Sequence, residues 1–342
     1  MNRRRFLSFG LCCGTGILAL NPLLRCRYAM AETYQPDSAG GVWTERMQPL
    51  MGTFVSIAIF DGNIERANQI ISAAFSNLEN EISQISDWIQ TSAISRLNAE
   101  RRLLAGETPS TLNRILPLAL DISRISGSVF SPFTLELSRY WRESRQSGTV
   151  PPGRQVKALC SEIHNSSLQL ETEALKLNGR SGIELGGIGK GFLVDRTADF
   201  LIANGVKVGR VAGSGDLRFI GDLSWQVEIE HPRSESRIIG SCRISGPVGI
   251  ATSGDYRNFT EIKGERYHHL ISLNDGMPAR WNQAVTVQAR TAAIADGLST
   301  AAFLMPTKKA VQFLERLSGV EGIVVDSAGS IHATSGMNFS LS

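Results

Sequence analysis

The chain reads as an α+β protein, and two features of its patterning predict this. Residues 53–60 (TFVSIAIF) are an apolar, β-branched run of strand length, and directly after them apolar side chains return at Ala67, Ile71, Ala74, Leu78, Ile82 and Ile85, the period of a helix with one buried stripe. Further on, strand-like and helix-like stretches mix without the regular alternation that builds a parallel sheet. The expected architecture is a two-lobed single unit of mixed, largely antiparallel sheets with packed helices.

The N-terminus differs in kind from the rest. Arg3, Arg4 and Arg5 precede an apolar run from Phe6 to Leu24, followed by Ala29, Met30 and Ala31, which predicts a signal peptide over residues 1–31 and a mature domain over 32–342. Within it, RRRFL carries the twin-arginine pair of the Tat pathway, so the expected location is periplasmic. Leu11 and Gly10 before Cys12 do not form a lipobox. Removing five signal arginines leaves 30 basic against 32 acidic residues, a balance that speaks against a nucleic-acid surface. Cys160 and Cys242 are the two cysteines that stay.

Residues 32–48 read as a lead-in, and 53–60 as a strand buried on both faces. A helix follows from Ile64, then a second over 111–125. A polar passage from Glu143 to Arg154 reads as a surface loop dividing the chain loosely in two. Strands are expected near 167–177, a glycine-rich turn at 186–191, a helix over 192–204, and several strands through 252. Residues 266–290 look extended, 292–304 and 307–318 helical, and 320–334 like a hairpin. No stretch after the signal is a membrane-spanning helix and no anchor is expected once the signal is cleaved.

Three clusters could carry chemistry. ELGGIGKGFLVD (Glu184–Asp195) brings glycines and Lys190 to the start of a helix. Exposed amides and a lysine there suit a phosphate, although a plain glycine turn has the same look, and the stretch is neither a Walker nor a Rossmann sequence. ATSGDYRNF (Ala251–Phe259) precedes RYHHL, whose His268 and His269 must point to opposite faces of a strand, so at most one faces a site. In ADGLST, Asp296 and Thr300 lie one turn apart on one helix face. A carboxylate and a hydroxyl so placed suit Mg²⁺, while an aspartate favoured by the helix dipole is the plainer alternative. His164, His231 and His332 read as structural.

Together these clusters resemble, in order and wording, the ApbE family of FAD:protein FMN transferases, over nearly the whole mature chain. Met51-Gly52-Thr53 stands ahead of the first strand. Trp88 precedes Ser95-Arg96-Leu97-Asn98, and GSVFSP carries Phe130 and Ser131. ELGGIGKG matches the family's DLGGIAKG, Gly213–Asp216 (GSGD) its GGD, Thr252–Arg257 its TSGDYR, and ADGLST its ADALAT. The resemblance implies that Met51, Trp88, Phe130, Ser131, Glu184, Lys190, Leu270 and Ile271 line an FAD pocket. It further implies that Mg²⁺ is held by the Gly187 carbonyl with Asp296 and Thr300, completed by the FAD diphosphate. The implied reaction is attack by a threonine or serine hydroxyl of a target flavoprotein on the FMN phosphorus, releasing AMP, with His269 handling the proton and Lys190 neutralising charge. Tat-exported members include accessory proteins of nitrous-oxide respiration, which implies a membrane flavoprotein as acceptor.

The chain departs from the pattern in several places. HLISLNDG has Ser272 where the family has aspartate and Asp275 where it has threonine, Ser131 replaces another aspartate, and Glu184 is a longer carboxylate than usual. These changes keep two alternatives in view: a non-enzymatic periplasmic protein that holds or delivers FAD, and an FAD pyrophosphatase in which water attacks.

Overall fold

The computed structural model describes residues 40–342; the expected signal peptide lies outside the described residues. In chain order the elements are β1 (Val42–Leu50), β2 (Thr53–Asp61), α1 (Ile64–Ile85), α2 (Ala93–Glu100), β3 (Arg102–Leu104), α3 (Ser110–Ile125), α4 (Leu135–Ser147), α5 (Gly153–His164), β4 (Ser167–Leu170), β5 (Ala174–Asn178) and α6 (Gly189–Ala203). They continue with β6 (Val208–Gly213), β7 (Asp216–Ile220), β8 (Ser224–His231), β9 (Ser234–Ser245), β10 (Gly249–Gly254), β11 (Phe259–Ile262), β12 (Glu265–His268), β13 (Asn282–Ala289), α7 (Ala292–Phe303), α8 (Thr307–Glu315), β14 (Glu321–Asp326), β15 (Ile331–Ala333) and β16 (Phe339–Leu341).

The centre is an eight-stranded sheet in the order β1-β2-β6-β7-β10-β13-β14-β15, antiparallel throughout. Alternation along its strands feeds two cores. Val55, Ile57, Val211, Val285 and Val324 face the helices, including α1, α6, α7 and α8. Ala212, Phe219, Ile250, Ala284, Ile323 and Val325 face the other way, onto Trp225 and Val227 of the small β16-β9-β8 sheet. A strand covered on both sides loses its polar face, which is why β2 appeared in the sequence as an unbroken apolar run.

Helix α1 buries Ala67, Ile71, Ala74, Phe75, Leu78 and Ile85, close to the expected stripe, and is capped by Asn63, whose side chain accepts from the Arg66 amide. Ile82 is half-buried, packed against the same core while also lining the cleft described below. Glu81 is buried because it binds Arg196 of α6 (2.8 Å) and accepts from Thr111 of α3 (3.0 Å), pinning three helices together.

Three expectations need correcting. The lead-in is not irregular after residue 41: Val42–Leu50 pairs with all of β2, and its signal was weak because an edge strand alternates half-exposed residues instead of presenting a solid apolar run. The divider expected over 143–154 is mostly helix. Helix α4 runs to Ser147 and α5 starts at Gly153, leaving a short link closed by Gly148 at φ 66°; their polar outer faces disguised them as loop. Residues 266–290 are not continuously extended, since β12 and β13 are separated by a loop with one bridge between Ile271 and Pro278. The hairpin over 320–334 forms as β14–β15.

Helices α6 and α7 meet at the heart of the molecule. A side chain at Gly191 would put its Cβ 2.3 Å from the Ala292 carbonyl oxygen and 2.7 Å from Asp296 Cβ. Only glycine permits that approach. Asp195 of α6 accepts from the Ala292 and Ala293 amides (2.9 and 2.8 Å), capping α7 from its neighbour.

Candidate active site

A cavity of about 1500 Å³ opens between the helical layer, the sheet and the β11–β12 hairpin. All twelve residues singled out by the motifs line it: Met51, Trp88, Phe130, Ser131, Glu184, Gly187, Lys190, His269, Leu270, Ile271, Asp296 and Thr300. They come from separate parts of the sequence, brought together because β2, β6, β7 and β10 are neighbours in the sheet while α6 and α7 cross behind them.

The inner corner is built by α6 and α7. Lys190 sits in the first turn of α6 and donates to the Gly186 carbonyl (3.2 Å). Asp296, buried, accepts from the Gly191 amide (3.0 Å). Thr300, one turn on, exchanges a 3.2 Å hydrogen bond with Ser253 of β10. Gly187 lies against it, so that a Cβ there would stand 3.3 Å from Thr300 Oγ1. A further residue completes the corner, Asp216 at the start of β7, delivered by a left-handed turn at Ser214 (φ 59°) and Gly215 (φ 95°). Its Oδ2 is buried with no hydrogen-bond partner among the described residues. GSGD was the signal for it, read as a family motif but not as a ligand.

Two buried carboxyls and a lysine set the electrostatics of this corner. Burial pushes the carboxyls of Asp216 and Asp296 up from their ordinary value, and Asp296 adds to the effect at Asp216, while Lys190 opposes it at both. Burial pulls the Lys190 ammonium down, but Asp296, Asp216 and Glu184 outweigh it and the net shift is upward. Beside Lys190 the corner offers the oxygens of Asp216, Asp296 and Thr300, including one carboxylate oxygen with no partner among the described residues, a donor set that suits a hard cation such as Mg²⁺. No group of three or more His, Cys, Asp and Glu that could hold a metal occurs among the described residues, so an ion held here would need further oxygens, from water or phosphate. Asp216, Asp296, Thr300 and the Gly187 carbonyl fit such an ion.

The outer wall is made differently. Trp88, on the loop after α1, is 70% exposed, and the Arg142 guanidinium of α4 lies 3.8 Å from its ring centroid. Glu184 accepts from the Gly186 amide (2.8 Å) and from Thr134 Oγ1 (3.3 Å); burial, then the nearby Asp87, holds its carboxyl above the ordinary range. Ser131 accepts from the Phe133 amide (3.2 Å), keeping the turn that positions Phe130.

The two adjacent histidines divide as the strand geometry required. His268 is buried, its Nε2–H donating to Ala279 O (2.7 Å) and its ring edge-on to Phe303. His269 faces the cavity. Its Nδ1–H donates to Asn258 O (3.3 Å), which leaves Nε2 bare toward the space. Although its side chain is exposed to the cleft, the protein surrounding it first, then the positive charge of Lys190, His268 and Arg145, hold it below the ordinary histidine value. A neutral imidazole with an open Nε2 is equipped to accept a proton.

Of the two cysteines, Cys160 and Cys242 are both buried and unpaired, with thiols pushed up to about 11 by burial. They take no part in this site.

Comparison with known proteins bears on most of the chain. The ApbE family model matches residues 51–324. The FAD:protein FMN transferase of Salmonella typhimurium is 26% identical over 288 residues, covering 80% of this chain and 81% of that protein; the one from Treponema pallidum is 24% identical over 322 residues, covering 85% and 87%. Among solved structures, the ApbE protein of Thermotoga maritima superimposes with a TM-score of 0.77 at 24% identity, covering 86% of this chain and 97% of that one. The flavin transferase ApbE from Vibrio cholerae does so at 0.71 and 22%, covering 86% and 98%. The matched span includes the glycine turn, Asp216, His269 and the Asp296–Thr300 helix, and the chain is a member of the ApbE family.

Proposed function

We propose that the protein is a magnesium-dependent FAD:protein FMN transferase that moves FMN onto a serine or threonine hydroxyl of an exported or membrane-bound flavoprotein. The observation that carries this reading is a single cavity in which the Asp216–Asp296–Lys190 corner and the bare Nε2 of His269 face the same space. Relatives named for the reaction span most of the chain. A twin-arginine leader at residues 3–7 supports export to the periplasm.

In this mechanism Lys190 and the amides of the glycine turn hold the diphosphate, and Met51, Phe130, Leu270 and Ile271 supply apolar surface for the ring systems. Mg²⁺, when bound through Asp216, Asp296, Thr300 and Gly187, neutralises phosphate charge. The acceptor oxygen bonds to the FMN phosphorus as the bond to the bridging oxygen breaks, and AMP leaves with that oxygen. His269 Nε2 takes the hydroxyl proton. Positioning and charge neutralisation supply most of the rate in such a transfer.

The test incubates the mature protein with FAD, Mg²⁺ and the flavin-accepting domain of a membrane flavoprotein, the one serving nitrous-oxide respiration being the first to try. A mass gain of one FMN on the acceptor, lost with EDTA, is the expected result. AMP release without an adduct identifies a pyrophosphatase. Tight FAD binding with neither product identifies a carrier and sinks the transferase reading.

A further inference from the structure

Six arginines and lysines of the cavity wall have evident anionic neighbours: Arg142 has Asp87 at 3.9 Å, Arg210 has Glu45, Arg233 and Arg266 share Asp255, Arg257 has Glu230, and Lys190 lies in the field of Asp296 and Asp216. Arg145 does not. It is half-buried on α4, one turn beyond Arg142, and lines the same cavity. Its hydrogen bond is a long one, 3.5 Å to the carbonyl oxygen of His268. No carboxylate stands within ion-pair distance of it among the described residues, and burial, reinforced by Arg142, holds its ionisation below the ordinary arginine value.

A guanidinium taken partly out of water without an anion is an unfavourable arrangement that a bound anion reverses. Its planar donors match the oxygens of a phosphate. Both Arg145 and Lys190 lie close enough to His269 to depress its protonation, so the two cations flank the group that would receive the acceptor's proton. Arg145 is half-buried and lines the same cavity as Lys190 and His269, which places it where a ligand in the cleft can meet it.

Resting on the transferase reading above, we infer that Arg145 binds a non-bridging oxygen on the flavin side of the FAD diphosphate, across from Lys190, and holds the charge that builds there as the phosphorus changes partners. The inner corner thus grips the AMP side and α4 the FMN side. Arg145 is a binding residue that the family motifs quoted above do not include.

The experiment uses the full mature chain and two variants, Arg145→Met, which keeps the apolar stem, and Arg145→Lys, which keeps the charge. Loss of a charge-assisted hydrogen bond predicts FAD affinity about tenfold weaker in Arg145→Met, with transfer falling about 100-fold at saturating FAD. The acceptor's KM stays as in the wild type, and Arg145→Lys recovers most of the loss. His269 is faced by Lys190 from α6, His268 from β12 and Arg145 from α4. Removing one of these positive charges lets it protonate more readily, so the acid limb of the rate profile moves to higher pH in Arg145→Met and stays put in Arg145→Lys.

Unchanged FAD affinity and transfer in Arg145→Met overturn the inference. So does a rise confined to the acceptor's KM, which would give the arginine to the acceptor instead. Equal damage in both variants with an unmoved pH limb would make Arg145 structural, and also overturns it. Absence of transfer by the wild type removes the reading on which the mechanism rests, and in that case the FAD titration of the two variants alone still decides whether Arg145 meets a phosphate.

Discussion

The two ends of the cleft are made by opposite means. The inner corner is held by backbone contact: Gly191 lets α6 and α7 touch, Asp195 caps α7 from α6, and Asp296 reaches back to the Gly191 amide, all in buried surroundings. The outer wall, from Trp88 across α4 to the 269–276 loop, is held by a stacked guanidinium, side-chain-capped turns and exposed groups. Changing a residue in the corner moves two helices; changing one in the wall moves a side chain. Under the proposed mechanism the corner is therefore where the phosphate chemistry would be fixed, and the wall is where such a protein could alter what it accepts without losing its grip on the diphosphate.

The largest expected effect breaks the corner. Asp296→Asn keeps the shape and the bond from Gly191 but removes the charge that a cation needs, and transfer should fall about a thousandfold. Thermal unfolding without metal should be unaffected or improved, because Asp216 and Asp296 crowd each other when both are ionised. A large loss of stability would show that the carboxylate is structural. His269→Asn tests the other end of the reaction and should cost about 10²–10³ in rate, within the usual range for general-base loss, with FAD affinity little changed. If FAD binding collapses with it, the histidine is a ligand contact and not a base.

Gly191→Ala probes the foundation. A methyl 2.3 Å from a carbonyl oxygen must drive the helices apart, so stability should drop by about 1–3 kcal/mol, with Mg²⁺-dependent FAD binding lost alongside it. Retained binding would mean that the corner tolerates displacement.

Acid dependence sharpens the same comparison. Burial, working against the Ala293 and Ala292 amides and Arg218, pushes the Asp195 carboxyl up to about 6. A raised carboxyl binds its proton in the folded state at a pH where the unfolded chain has released it. Folding is then favoured by acid, and this contribution is lost as the pH rises from about 4 through about 6. Equilibrium unfolding across that window should show a component that falls with rising pH in the wild type and is absent in Asp195→Asn. An identical pH dependence in the two proteins would show that Asp195 titrates normally.

How much of this was legible beforehand follows from the same contrast. Helix α1 and strand β2 were readable because one face or both are continuously apolar, and α7 because its helical run is uninterrupted. The lead-in strand β1 and the helices α4 and α5 were not, since an edge strand and two helices with polar outer faces carry short or mixed stripes. In the site, spacing left the glycine turn, Lys190, Asp296 and Thr300 open to plainer readings and the family resemblance singled them out, yet neither could say that they meet; the helix crossing at Gly191 says it. Asp216 was visible as part of GSGD but became a candidate ligand only when its Oδ2 proved buried and unpartnered. Arg145 had no signal, being one arginine in a polar helix until the fold stripped it of acidic neighbours.

The smallest expected effect lies in the wall. Ser272 stands where the family carries an aspartate, and its hydroxyl accepts from the Asn274 amide at 3.3 Å while its own amide donates to Met277 O at 2.8 Å. An aspartate makes the same turn through a carboxylate oxygen, so Ser272→Asp should fold normally, with stability within about 0.5 kcal/mol of the wild type. It adds a negative charge three residues from His269, which favours the protonated imidazole and lifts the histidine's pKa toward the ordinary value. The acid limb of transfer should move to higher pH, and the rate at neutral pH should change by less than about tenfold. FAD affinity, set mainly by the corner, should not follow. Should Ser272→Asp instead change FAD affinity as strongly as Lys190→Ala does, the diphosphate would have to extend along the loop, and the division of the cleft into a fixed corner and an adaptable wall would fail.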